Sequence, residues 1–267
     1  MRMRNLILWI LAIVITLSSA IYQRMTGPTK PFRNQVEIND TQISYSLIRS
    51  YDKDTDAPVT ITVEDEDISG FYRYKRYPSH DKWQQKPLTR DGNLLIAYIP
   101  HQPAAGKVQY IITLENEDTR KNLSEEPLVI RFRDEVPPWA MAPHIILMFA
   151  AMLLGTRAGI AALFKEKTYR LVLWTIITFI LGGLIFGPVV QKYAFGDFWT
   201  GWPFGSDLTD NKTAVAFLFW IIAFFKSRRN HYHRGWVLAA SIVLLVIYLI
   251  PHSLMGSEID WTEKNPE

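Results

Sequence analysis

Residues able to bind or transfer something cluster at three places: His144; Asp207, Asp210, Asn211 and Lys212; and His252 with Glu258. Each group borders a long apolar run. Ionisable side chains at membrane depth are costly and usually face a bundle interior or water, so their presence marks a candidate ligand or cofactor site. Two neutral imidazoles on different helices, His144 and His252, could ligate haem b between helices. Imidazole and carboxylate oxygens could instead hold a divalent metal. The competing reading is structural. Asp207 and Thr209 then cap a helix start, Asp210 is favoured by the helix dipole, the two histidines sit at lipid headgroups, and Trp199, Trp202 and Phe204 form an aromatic belt. No catalytic residue is assigned: Ser253 adjoins His252, but there is no nucleophile-elbow sequence and no paired base.

These residues need elements to hold them. The chain has 267 residues, a net charge of +3 and no cysteine. The missing cysteines exclude disulfides, thiolate metal sites and covalent haem attachment through paired cysteines. Mean hydropathy is near zero, but that average joins two unlike parts. Residues 23–138 are polar with strand-like alternation, and residues 139–250 are mostly apolar, the pattern of a membrane protein carrying one exported domain. The basic residues flank apolar runs, so no nucleic-acid partner is indicated.

Residues 1–22 read either as a transmembrane anchor or as a signal peptide, with Ser18, Ser19 and Ala20 as small residues at a cleavage position. Four further spans follow at about 139–164, 171–190, 208–225 and 236–253, ahead of a tail over 254–267. Lys165, Lys167 and Arg170, and then Lys226, Arg228, Arg229 and Arg234, fall on one side; the aspartate-bearing loop and the acidic tail fall on the other. By the positive-inside rule the N-terminus, if uncleaved, is cytoplasmic, and residues 23–138 and the C-terminus are periplasmic.

Span length adds a constraint. The apolar run 213–225 makes about 20 Å of helix at ~1.5 Å per residue, against the roughly 30 Å of a bilayer core. Its inner end is tied to Lys226, so the helix must extend outward over 208–212. The run 236–250 is also short and is expected to extend over Pro251, His252 and Ser253. Arg157, near the inner interface on its helix, can snorkel there and reads as a structural residue. Gly155 and Gly159, and Gly183 and Gly187, have the spacing that lets helices approach closely. His231 and His233 lie in the inner basic loop and read as part of a solvated cationic segment.

Within residues 35–133, short alternating runs separated by turn residues predict six or seven strands of an antiparallel β-sandwich. Tyr72, Tyr74 and Tyr77 alternate with Arg73, Lys75 and Arg76, which reads as one strand with a core face and a basic face, or as a binding face. His80 and His101 read as surface histidines. Asn39, Asn122 and Asn211 begin N-x-S/T triplets, which matter only in a eukaryotic secretory pathway.

The stretches 71–77, 94–100 and 106–112 resemble a fibronectin type III or Ig-like module. The segments 143–152, 199–212 and 250–258 look like a family of bacterial inner-membrane proteins in which an exported sandwich domain precedes a small helical bundle. That resemblance implies architecture and an inner-membrane location, and it carries no activity. The expected function is a non-enzymatic polytopic membrane protein, an adaptor or subunit of an envelope complex, whose partners are membrane lipid and other envelope proteins or a second copy. The alternative is a redox subunit holding haem b or a metal at the periplasmic end of the bundle.

Overall fold

The computed structural model describes residues 2–38, 41–229, 234–251, 256 and 258–264. The chain divides into two compact units, residues 1–28 with 136–257 and residues 29–135 with 258–267.

The first unit is helical. It contains α1 (Arg2–Thr26), α2 (Pro138–Leu163), α3 (Tyr169–Phe179), α4 (Gly187–Phe195), α5 (Leu208–Arg229) and α6 (Arg234–Leu249); a π-helical segment, Ile180–Phe186, joins α3 to α4. Four stretches, Met3–Thr26, Pro138–Leu163, Tyr169–Phe195 and Leu208–Arg228, are long and apolar enough to cross a membrane, and α6 is apolar but shorter. Pro138 opens α2 where a missing N–H costs nothing. The same helix closes on Lys165, at φ 58°. Around that residue Glu166 N donates to Ala161 O at 2.8 Å and Lys165 N to Ala162 O at 3.3 Å, the paired bonds of a Schellman turn. α5 starts at Leu208, ahead of the apolar run proper. α6 stops at Leu249, short of the expected extension over 251–253, because Pro251 cannot continue a helix and disfavours helical backbone at the residue before it. His252 and Ser253 lie outside the described residues, as do Asn39, His231 and His233.

The helical core is built on small side chains. Ala151, Ala158 and Ala162 of α2 meet Ala216 and Ala223 of α5 and Ala240 of α6, with Trp220, Phe179 and Leu244 filling between them. Gly159 lies against Ser241: a Cβ placed there would stand 2.2 Å from the serine Oγ. Such close backbone approach is the geometry that small residues permit.

The second unit is built from β-strands. β1 (Phe32–Ile38) and β2 (Thr41–Leu47) form a hairpin. β3 (Ser50–Tyr51), β5 (Ser69–Arg76), β6 (Gln84–Pro87), β9 (Lys107–Glu115), β10 (Arg120–Asn122) and β11 (Leu128–Phe132) form a second sheet, and β4 (Ala57–Thr62), β7 (Thr89–Asp91) and β8 (Leu94–Ile99) a third. The order in the large sheet is β3-β11-β9-β5-β6, with β10 also on β9. One pairing departs from a wholly antiparallel arrangement: β3 runs parallel to β11, Ser50 opposite Arg131 and Tyr51 opposite Phe132.

Side chains from all three sheets enter one core, including Leu47, Val59, Ile61, Ile99, Tyr110, Ile112 and Phe132. On β5 the period of two sends Tyr72 and Tyr74 inward, with Tyr72 Oη donating to Tyr98 O at 2.9 Å and Tyr74 Oη to Gln84 Oε1 at 2.8 Å. Those two tyrosines are core residues. Tyr77, past the strand end, is exposed.

Candidate functional site

α4 ends at Phe195, and the chain crosses to α5 through residues 196–207. Asp207 is the N-cap of α5. Its Oδ1 accepts the N–H of Thr209 at 2.7 Å and that of Asp210 at 3.4 Å, satisfying two of the donors a helix start leaves open. Asp210, in the first turn, reaches back into the loop. Its Oδ2 accepts Thr200 N at 2.7 Å, Gly201 N at 3.0 Å, Gln191 Nε2 at 3.0 Å and Thr200 Oγ1 at 3.3 Å. Gln191 Nε2 also donates to Thr200 Oγ1 at 2.7 Å, which ties α4 into the same knot. Asn211 Oδ1 accepts Trp202 N at 2.6 Å. Asp207 and Asp210 are both buried.

The loop fits this helix start because it has no side chain at one position. A Cβ on Gly201 would stand 2.6 Å from Asp210 Cβ and 2.8 Å from Asn211 Oδ1. Main-chain bonds close the turn, with Phe204 N and Gly205 N both on Gly201 O at 2.9 Å. Trp202 and Phe204 are 78% and 83% exposed, so the loop's polar atoms are turned inward and its large rings outward.

Lys212 does different work. Buried on α5, it donates from Nζ to Ile250 O at 2.9 Å, just beyond the end of α6. Gln23 of α1 donates to Tyr248 O at 2.8 Å and to Ile250 O at 3.4 Å. The carbonyls that α6 leaves unpaired at its C-terminus thus receive an amide and an ammonium, and the cation lies where the helix dipole favours it. Tyr248 Oη donates to Met148 O at 2.8 Å, joining α6 to α2.

His144 is placed apart from this knot. Its Nδ1 lies 2.8 Å from Gly182 O, within the π-helical segment. A carbonyl can only accept, so Nδ1 carries the proton and Nε2 is the basic nitrogen of the neutral ring. Glu258 belongs to the β unit, where it is ion-paired with Lys107. The structure therefore brings Asp207, Asp210 and Asn211 together, puts Lys212 on the end of α6, and gives His144 and Glu258 separate settings. Among the described residues no three of the types His, Cys, Asp and Glu are grouped to hold a metal ion. Sequence reasoning missed Gln191, Thr200, Gln23 and Tyr248, whose roles depend on which helix ends meet.

Arg157 has a structural role within the helical unit and does not reach outward. It is buried, with Nη2 2.8 Å from Glu166 Oε2 and 2.9 Å from Asn5 Oδ1, and its guanidinium lies over the Trp9 ring at 5.6 Å. The Schellman turn at Lys165 is what swings Glu166 back to meet it. The partly exposed Glu166 carboxylate, shared with Arg4, balances the charge of the buried guanidinium.

Neither a protein-family model nor a curated protein matches this chain.

Proposed function

We propose that the chain is a non-enzymatic, multi-pass protein of a bacterial inner membrane, of the family the sequence resembles, acting as an adaptor or subunit of an envelope complex. Its helical unit anchors it, and its β unit, read as an Ig/fibronectin-like module on the periplasmic side, makes the contacts. One observation carries the non-enzymatic part. The polar groups singled out in the loop and on α5 are spent on structure: Asp207 on the α5 cap, Asp210 on four donors, Asn211 on Trp202 N and Lys212 on the end of α6. An oxygen that already accepts four donors, as Asp210 Oδ2 does, is poorly placed to act as a general base or a metal ligand. The orientation is supported by the basic residues that follow α2 and α5, and by the acidic residues of the tail.

The experiment is extraction of the native chain in mild detergent, followed by native mass measurement. A stoichiometric second protein that is lost when the β unit is exchanged for an unrelated domain, and kept when Asp210 is replaced by Asn, supports the proposal. A protein recovered alone and monomeric contradicts it.

A further inference from the structure

The last described residues return to the β unit. Ile259 N donates to Ala105 O at 3.3 Å and Trp261 N to Pro78 O at 3.1 Å. Trp261 opens a short helix, α7 (Trp261–Lys264). Glu258 pairs with Lys107 at the start of β9. The Trp261 ring covers the Arg76 guanidinium at 4.5 Å, while Asp81 holds that guanidinium by its edge through bonds of 2.6 and 2.9 Å. An acidic segment with one tryptophan is thus read by a lysine, an arginine face and two outward carbonyls.

Beside this contact the same surface opens into a cavity of about 440 Å³, lined among others by Tyr74, Lys75, Arg76, Lys82, Trp83 and Gln102. Its one carboxylate, Asp81, is taken by Arg76. Lys75 and Lys82 form no ion pair among the described residues. Lys75 Nζ lies 5.6 Å from the centre of the Trp83 ring, which is 39% exposed.

We infer that this face of the β unit is a docking site for an acidic segment bearing an aromatic side chain, supplied by a partner protein, and that the chain's own tail occupies its rim in the same manner. This rests on reading the β unit as the interacting part, and it names the partner's chemistry. Lys75 and Lys82, with no ion pair among the described residues, attract carboxylates and discriminate against basic or purely apolar partners. Trp, Tyr and Arg are the side chains that anchor interfaces, and a cavity of this size accepts a large side chain with its flanking main chain. A small inorganic anion would satisfy the lysines but leave the aromatic wall unused. The tail, tethered beside the site, competes at the high effective concentration that a short linker confers.

The test titrates full-length protein in detergent with a fluorescent peptide of residues 256–265, Gly-Ser-Glu-Ile-Asp-Trp-Thr-Glu-Lys-Asn, and with its neutral counterpart carrying Gln and Asn in place of Glu and Asp. The variant Glu258→Lys/Trp261→Ala, whose own tail no longer holds, is expected to bind the acidic peptide at least tenfold more tightly than the unaltered chain. Adding Lys75→Glu and Lys82→Glu to that variant is expected to cost at least tenfold, with circular dichroism unchanged, and the neutral peptide to bind at least tenfold more weakly. No binding, equal binding of the two peptides, or binding indifferent to Lys75 and Lys82 overturns the inference. A native partner that co-purifies equally with the unaltered chain and with Lys75→Glu/Lys82→Glu overturns the docking site and leaves the wider reading standing. A chain that binds peptide but yields no partner overturns the wider reading, and the partner with it.

Discussion

Asp210 Oδ2 accepts the main-chain N–H of Thr200 at 2.7 Å across ten positions of sequence, and the same oxygen accepts Gly201 N at 3.0 Å. A carboxylate in the first turn of α5 thereby replaces the partners that the preceding loop's main chain would otherwise lack. The loop is held by the helix it leads into, and its rings are left on the outside.

Replacing Asp210 by Ala strands the buried N–H of Gly201 and the part-buried N–H of Thr200, and leaves Gln191 with Thr200 Oγ1 alone. Each costs roughly 1–3 kcal/mol when left without a partner, so a net loss of about 2–4 kcal/mol is expected after relaxation. Thermal unfolding in detergent reads the loss, and protease cleavage within residues 197–206 should rise in the same variant. A melting curve and cleavage pattern like those of the unaltered chain would show that the carboxylate does not hold the loop.

The contact of Gly159 with Ser241 predicts a paired response. Gly159→Ala forces its Cβ to within 2.2 Å of the serine Oγ, an overpacking expected to cost about 1–3 kcal/mol. Ser241→Gly in the same chain should return most of it, because both clashing atoms of the serine are removed. Unfolding midpoints of the two single variants and the double variant measure the coupling. Additive losses would argue against the packing.

In the β unit, the hydrogen bonds from Arg76 hold the Asp81 carboxyl below its ordinary value of 3.8. A depressed folded value means that the pair's contribution is fully present above the unfolded value and fades as pH falls through the folded one. The stability difference between the unaltered chain and Asp81→Asn should be constant above about pH 5 and shrink below the ordinary carboxylate value. Both side chains are about 30% exposed, so screening keeps the difference small. A difference that grew on acidification would reverse the assignment.

The orientation is open to direct labelling, since the chain has no cysteine of its own. A single cysteine at Asn93, exposed in the β unit, should react with an impermeant maleimide on spheroplasts. One at Lys167, exposed after α2, should react only after permeabilisation. The reverse pattern would invert the topology.

Much of the fold was legible because a membrane makes hydropathy and length speak together. The run 213–225 is too short to cross, and α5 begins at Leu208. An aspartate ahead of a helix start is a readable cap signal, and Asp207 is one. The partners of Asp210 were not readable, because Gln191 and Thr200 lie on a preceding helix and loop whose placement no local pattern encodes. Nor was the internal pairing of Arg157. It depends on a left-handed Lys165, where a glycine would have announced the turn. The parallel addition of β3 to β11 involves two residues, too few for alternation to register. The return of Glu258 to Lys107 was hidden for another reason: charge complementarity names a class of partner, not one lysine among many.

The native mass of the complex extracted from membranes tests the central claim most directly. A particle heavier than the 30.9 kDa chain, containing a second protein that departs when the β unit is exchanged, is the predicted result. A lone monomer under the same extraction would contradict it.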